Sequence, residues 1–152
     1  MREILFRGKR EYTNEWIYGD LLTSTDIVNC TEIAENTGMG DRYDVIPETV
    51  GQYTGLTDMN YTKIFEGDIL QRNNNPKDIV KTVFGKFSVI DAETETAVDE
   101  VTGWHCEVIP TDAISEVLPF CLPMPLTDYY INRCNAEVIG NVHDNPELLG
   151  GE

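Results

Sequence analysis

The sequence predicts a mainly β fold. Two observations carry that reading. Short apolar segments recur along the chain, and between them lie clusters of Gly, Asn, Asp and Pro. Many short strands separated by such turn residues favour a small barrel or sandwich. Residues 2–7 (REILFR) place Ile4 and Phe6 on one strand face, and 15–23 (EWIYGDLLT) continue in aromatic and aliphatic residues. Residues 43–54 form an extended segment in which Pro47 must lie at an edge or bulge, because it cannot donate to a ladder. Residues 63–71 (KIFEGDILQ) read as two short strands around Gly67-Asp68. Residues 79–90 read as a strand pair or a bent strand kinked at Gly85, and 104–109 and 136–142 complete the set. Segments 36–42, 57–62 and 73–78 are turn-rich.

Helix signals are sparse. Residues 111–118 fit a short helix capped by Thr111 or Asp112 and stopped by Pro119. Residues 119–126 hold three prolines and read as an extended covering loop. Residues 145–149 read as one helical turn, with Asn145 as N-cap and Pro146 at the first position. No linker or low-complexity run marks a boundary, so one domain over residues 1–152 is expected.

One echo refines the fold. Trp16-Ile-Tyr-Gly-Asp-Leu-Leu22 and Ile64-Phe-Glu-Gly-Asp-Ile-Leu70 share an Ile-aromatic pattern, Gly-Asp and two aliphatics. Both read as strand, tight turn, strand, with Gly supplying an unusual backbone angle and Asp bonding its own turn. Gly-Asp at the entry to a strand is common in SH3-like barrels. The echo is a hint of that fold only.

Charge narrows the function. The 152 residues carry 27 Asp and Glu against 11 Lys and Arg, a net charge of −16. This disfavours general nucleic-acid binding, which needs clustered cations to displace counterions. Arg2, Arg7, Lys9 and Arg10 are the exception, a basic patch at the N-terminus. Between Lys86 and Arg133 there is no Lys or Arg, while nine carboxylates run from Asp91 to Asp128. The plain reading is a solvated acidic face; the functional reading is a patch that meets a basic partner or imitates DNA. No apolar run approaches the length of a membrane span, about 18 residues. Residues 1–10 lack the apolar stretch of a secretory signal, so a cytoplasmic protein is expected.

No catalytic constellation is evident. Cys30, Cys106, Cys121 and Cys134 include no Cys-x-x-Cys pair, and four reduced thiols are the default. A composite metal site from Cys106, Cys121, Cys134 and His143 has no supporting spacing. His105 and Cys106, as strand neighbours, point to opposite faces. A cysteine relay with His105 or His143 has no motif behind it. Asp58-x-Asn60-x-Thr62 starts like a calcium loop, but Lys63 and Ile69 occupy the positions that need Gly and Glu. Gly51-Gln-Tyr-Thr-Gly55 lacks the Gly-Lys-Ser/Thr ending of a phosphate loop. Adjacent carboxylates such as Asp99-Glu100 do not make a glycosidase pair. Tyr12, Trp16, Tyr18, Tyr53, Tyr61 and Phe65 could line a peptide groove, but core packing is the expectation for most of them. No catalytic, cofactor or metal residue is assigned.

Three blocks carry a more specific signal. They are Met1-Arg-Glu-Ile-Leu-Phe-Arg-Gly-Lys9 with Trp16-Ile-Tyr-Gly-Asp20; Pro47-Glu-Thr-Val-Gly-Gln-Tyr-Thr-Gly-Leu-Thr-Asp58 with Ile64-Phe-Glu-Gly-Asp-Ile69; and Glu137-Val-Ile-Gly-Asn141 with Asn145-Pro-Glu-Leu-Leu149. In these the chain resembles the YopX family, encoded by bacterial phages and prophages. The resemblance covers about half of the chain and reaches both ends. It implies an all-β protein with an SH3-like barrel component and no established catalytic activity. With the strand pattern and the Gly-Asp echo, the expected architecture is an SH3-like, partly open β-barrel with additional N-terminal strands and at most one or two short helices. Two departures stand out. The family's Asp-x-Asn-Gly turn is here Asp58-Met-Asn-Tyr61, and Tyr is poorly suited to the place of Gly. Residues 91–135, acidic and Pro-rich, do not follow the family pattern.

Together these readings favour a phage-derived, non-enzymatic module that binds an unidentified host or phage protein, with self-association as a further possibility. A nucleic-acid-associated protein using the basic N-terminus, and a metal-dependent enzyme, are the alternatives.

Overall fold

The N-terminal ladder begins at Phe6 rather than at Arg2. In a computed structural model, which describes residues 2–24, 30–35, 41–91, 93–111 and 122–150, strand β1 is Phe6–Lys9 and Ile4 lies exposed ahead of it. The fold is mainly β, with two antiparallel sheets, one of them a half-barrel. That is the counterpart of the expected open barrel. The chain divides into two compact units, Met1–Gly55 and Leu56–Glu152.

The first unit is a meander. Strands β2 (Trp16–Ser24), β3 (Cys30–Glu35) and β4 (Arg42–Asp44) follow β1, and β5 (Gly51–Thr57) returns to its other side. Ile17, Ile33 and Val45 form the core, with Phe6, Leu21, Tyr43 and Val50 packed against them. Residues 43–54 are not one extended segment. Pro47–Thr49 form a 3-10 turn between β4 and β5, with Pro47 at its start. Proline suits that position because its fixed φ is helical and no N–H is needed there. Thr49 fastens the turn to β1: its Oγ1 accepts from the Lys9 N–H at 2.9 Å and donates to the Ile46 carbonyl at 2.6 Å.

The Gly-Asp echo separates here. β2 runs unbroken through Gly19, so residues 16–22 are not strand, turn, strand. A Cβ on Gly19 would meet the Ala34 carbonyl oxygen of β3. Gly19 is there because a neighbouring backbone comes too close for a side chain. Gly67 is the turn glycine that both copies were expected to hold, with φ of +88° between β6 (Lys63–Phe65) and β7 (Asp68–Arg72). Asp68 closes that turn by accepting from the Phe65 N–H at 2.8 Å.

The second unit is built on a sheet ordered β10-β9-β8-β7-β11, from β8 (Asn75–Asp91), β9 (Thr96–Val108), β10 (Met124–Pro125) and β11 (Glu137–Asn141). Adjacent apolar residues serve opposite faces. Leu70 and Val80 enter a cluster with Ile64, Cys106, Tyr130 and Ile131, while Ile69 and Ile79 join Ile109. A strand buried on both faces shows runs of apolar residues rather than alternation. The β7–β8 turn is only Asn73-Asn74, both left-handed at φ 54° and 57°. Two positive φ values match the right-handed twist of a two-residue hairpin, and Asn tolerates them best after Gly.

The 58–62 turn rests on one carboxylate. Asp58, buried, accepts from the N–H groups of Asn60 (2.8 Å) and Thr62 (2.9 Å) through Oδ1, and from Val138 of β11 (2.8 Å) through Oδ2. Both oxygens are thus engaged by backbone, in a polar turn rather than a cation loop. Tyr61 takes the left-handed conformation at φ 63°, in the place where the resemblance expects Gly, and is 87% exposed.

One α-helix stands among the described residues, α1 (Asp128–Cys134), and it was not anticipated. The Thr127 hydroxyl caps it by accepting from the Tyr130 N–H at 3.0 Å, and left-handed Asn135 ends it. The expected helix at 111–118 lies outside the described residues, apart from Thr111, as do 119–121 of the Pro-rich loop. At the C-terminus Pro146–Leu149 form the expected turn as a 3-10 helix. Asn145 does not cap it with its side chain. Its Oδ1 reaches back to the Asn141 N–H at 3.1 Å, across Gly140, where a Cβ would collide with it.

Tyr61→Gly is expected to stabilise the protein. A left-handed non-Gly residue costs about 1–2 kcal/mol, and Gly loses about 0.5–1 kcal/mol of extra chain entropy. A net gain near 0.5 kcal/mol should raise Tm by about 1–2 °C in a chain of this size. A lower Tm in thermal unfolding would show that the Tyr61 ring contributes packing.

Candidate interaction surface

The first five carboxylates of the acidic stretch, Asp91 to Glu100, lie on a two-stranded ribbon. β8 and β9 pair from Val80↔Val108 to Asp91↔Thr96. The inner part is packed: Phe87 stacks on His105 with centroids 4.4 Å apart, and Cys106 enters the core cluster from the other face. The opposite orientation of His105 and Cys106 is the one expected of strand neighbours. His105 contacts the Gly103 carbonyl through Nδ1 (3.1 Å) and Glu107 through Nε2 (3.2 Å).

Residues 93–102 are all exposed. The ribbon end is closed by Asp91, whose Oδ1 accepts from the N–H groups of Glu93 (2.8 Å) and Thr94 (3.2 Å). Glu95 turns the chain in the left-handed conformation. Asp91, Glu93, Glu95, Asp99 and Glu100 therefore gather on a two-stranded extension, with Lys86 within 4.0 Å of Glu100. Such an exposed pair contributes little. Phe84, Val98 and Val101 are exposed among these charges. β7 pairs with β8 only as far as Lys81, and β10 pairs with β9 only at His105 and Cys106. Among the described residues the outer ribbon has no third strand on either edge.

The basic N-terminus is arranged differently. Arg7 is buried with its guanidinium 4.6 Å from the Trp16 ring centroid, and the Lys9 ammonium is 5.6 Å from the same ring. Arg10 lies 4.6 Å from the Tyr43 centroid and 3.6 Å from Glu15. These cations lie against aromatic rings and a carboxylate, and Arg2 alone of the four is exposed. The six aromatics do not make one core. Tyr53 and Phe65 are buried and Trp16 is half-buried, but Tyr12, Tyr18 and Tyr61 are exposed. The expectation that most are core is corrected: all three exposed rings lie on turns or on the outward face of β2.

The remaining candidates divide. Cys106 is buried and Cys134 half-buried at the end of α1. Cys121 and the side chain of Cys30 lie outside the described residues. His143 is half-buried in the turn after β11, its N–H on Asn141 Oδ1 at 3.0 Å. Among the described residues no three His, Cys, Asp or Glu side chains gather as a metal ion would require. No helix there is long and apolar enough to cross a membrane.

Sequence reasoning missed a buried polar group. Arg72, at the end of β7, donates to Asp78 Oδ1 from Nε (2.9 Å) and from a terminal nitrogen (2.6 Å), and its other terminal nitrogen reaches the Tyr130 hydroxyl at 3.3 Å. Both members of the pair are 4% exposed. Burial pushes the Cys106 thiol up to about 12, and raises Tyr130 and Cys134 in the same direction. Arg72 opposes all three shifts and loses to desolvation. These thiols are protonated near neutrality, which is the opposite of an activated nucleophile.

The YopX protein family matches residues 5–150. The chain belongs to the YopX family. The quoted blocks now have physical duties: Asp58, Gly67, Asp68, Gly140 and Asn145 each close a turn or admit a close neighbour. Among solved structures, the crystal structure of protein EF1440 from Enterococcus faecalis aligns over 98% of this chain and 99% of its own, at 19% identity and a TM-score of 0.49. No curated protein matches.

The buried thiols predict an alkaline limit. Below about pH 9 folded and unfolded chains both hold Cys106 protonated. Above it the unfolded chain ionises and the folded one does not, so stability falls as pH rises from 9 toward 12. The expected slope is about 1.4 kcal/mol per pH unit for this group. Cys106→Ala should flatten the loss measured by urea unfolding at pH 8 and pH 10.5, and an unchanged slope would refute the assignment.

Proposed function

We propose that this YopX protein is a phage- or prophage-derived, non-enzymatic interaction module acting in the bacterial cytoplasm. The observation that carries the reading is the acidic ribbon of β8 and β9. It combines exposed carboxylates, exposed apolar side chains and strand edges that no described residue pairs. An open edge can accept an additional strand, and its main-chain groups then give affinity while charge selects the partner. The matching partner is a protein with a basic, extended segment. Edge-to-edge pairing with a second copy is opposed by like charges across the contact. The nucleic-acid alternative has less behind it, because Arg7, Lys9 and Arg10 lie against rings rather than forming an open patch.

The test compares the native protein with a ribbon variant carrying Glu93→Lys, Glu95→Lys, Asp99→Lys and Glu100→Lys. All four side chains are exposed, so the fold should persist. Both are used as bait in lysate of a phage-carrying host, and bound protein and nucleic acid are read separately. A stoichiometric basic protein, retained at moderate salt by the native chain and at least tenfold depleted on the variant, is expected. Equal retention by both would remove the ribbon from the contact. Nucleic acid lost on Arg2→Gln would favour the alternative, and a concentration-dependent dimer in sedimentation would favour a second copy.

A further inference from the structure

The second unit holds a pocket of about 540 Å³ at the start and inner side of α1. Met124, Pro125 and Tyr129 give it apolar walls, the Arg72–Tyr130 pair lies at its lining, and Cys134 and Arg133 stand at the far end of the helix. The volume falls within the range of small-molecule sites, about 300–1,000 Å³. The charge of the lining is unlike that of the molecule. In a chain of net charge −16, the described residues that line this pocket include two arginines and no carboxylate. Asp78 neutralises Arg72 from behind. Arg133 is exposed and has no ion pair among the described residues. One positive charge is therefore left facing an apolar cavity.

We propose that this pocket binds a small organic anion with a ring-sized apolar body. Arg133 meets the anionic group, and the Arg72 guanidinium, held in place by Asp78 and Tyr130, presents a second polar contact. Tyr129, 73% exposed, offers a ring face at the rim. Met124 can adapt to the shape of the apolar body, since its unbranched thioether fills irregular gaps. The site is independent of the ribbon, and neither reading requires the other.

The probe is 1-anilinonaphthalene-8-sulfonate, a fused ring with one sulfonate, and its uncharged counterpart is N-phenyl-1-naphthylamine. Saturable one-to-one binding of the sulfonate is expected in a fluorescence titration. Arg133→Glu should weaken it about tenfold, Arg133→Lys should largely keep it, and the uncharged probe should bind the native chain and Arg133→Glu alike. A Phe84→Ser variant, changed on the ribbon, should bind as the native chain does. The sulfonate should also slow maleimide labelling at Cys134, located by peptide mass. Absence of saturable binding, indifference to Arg133→Glu, or unprotected Cys134 would each overturn the proposal. Arg133 is exposed and Arg133→Lys preserves its charge, so loss of fold cannot imitate the expected pattern.

Discussion

The second unit depends on one buried charge. A guanidinium removed from water carries a penalty of several kcal/mol unless it is paired and fully hydrogen-bonded. Arg72 meets that demand with two contacts to Asp78 and one to Tyr130. Each contact fixes something else. Asp78 can reach Arg72 because the ladder running from Ile69↔Lys81 to Gln71↔Ile79 would next set Arg72 opposite Asp78, before the register shifts to Arg72↔Asn75 at the Asn73-Asn74 turn, so the pair and the inner register of β7 with β8 enforce each other. Tyr130 carries the constraint to α1, which must present that hydroxyl to the sheet. The packed interior around them then holds Cys106 and Cys134 as thiols.

The family motifs show why recurring residues need not be catalytic. Asp58 divides its two oxygens between its own turn and β11, eighty residues away. Asp68 and Asn141 close turns in the same way, each accepting from backbone N–H groups nearby. A short polar side chain that replaces a backbone partner stabilises a turn wherever the chain lacks a ladder. A carboxylate with both oxygens taken by N–H donors has little capacity left for a ligand. The chemistry available to this protein therefore lies outside its motifs, in surfaces where side chains remain exposed.

Legibility in the sequence followed burial. β2, β6, β7 and β11 were readable because each presents large apolar residues to a core, as Ile64 and Leu70 do. β3 was missed because only Ile33 in Cys30–Glu35 is a large inward side chain. The outer half of β9 was missed because, among the described residues, it pairs only with β8, and its exposed side chains answer to solvent and to the ladder. The helix α1 left a signal that went unused: Thr127-Asp128 as cap and first-turn acid, Arg133 in the last turn and Asn135 at the stop. Its Tyr-Tyr-Ile centre favours strand by intrinsic preference, and capping with tertiary packing outweighs that preference. The two Gly-Asp copies were indistinguishable in sequence because a close backbone approach and a positive φ select the same residue.

Of the surfaces, charge was legible and geometry was not. The sequence places the carboxylates of 91–100 close together along the chain, which locates the ribbon, although only the pairing of β8 with β9 sets them on two adjacent strands. The pocket had no such marker. Its two arginines are sixty-one positions apart, and nothing in their local sequence shows that Asp78 pairs with one and leaves the other to face the cavity. The two surfaces should respond differently to salt. Interactions between exposed charges weaken beyond a Debye length of about 8 Å at physiological ionic strength, while partly buried ones are screened less. A ribbon contact made by exposed carboxylates is thus tuned chiefly by ionic strength. An anion seated in an apolar pocket beside Arg133 draws most of its affinity from the area it removes from water. A single acidic protein can in this way carry one surface that reads charge and another that reads shape.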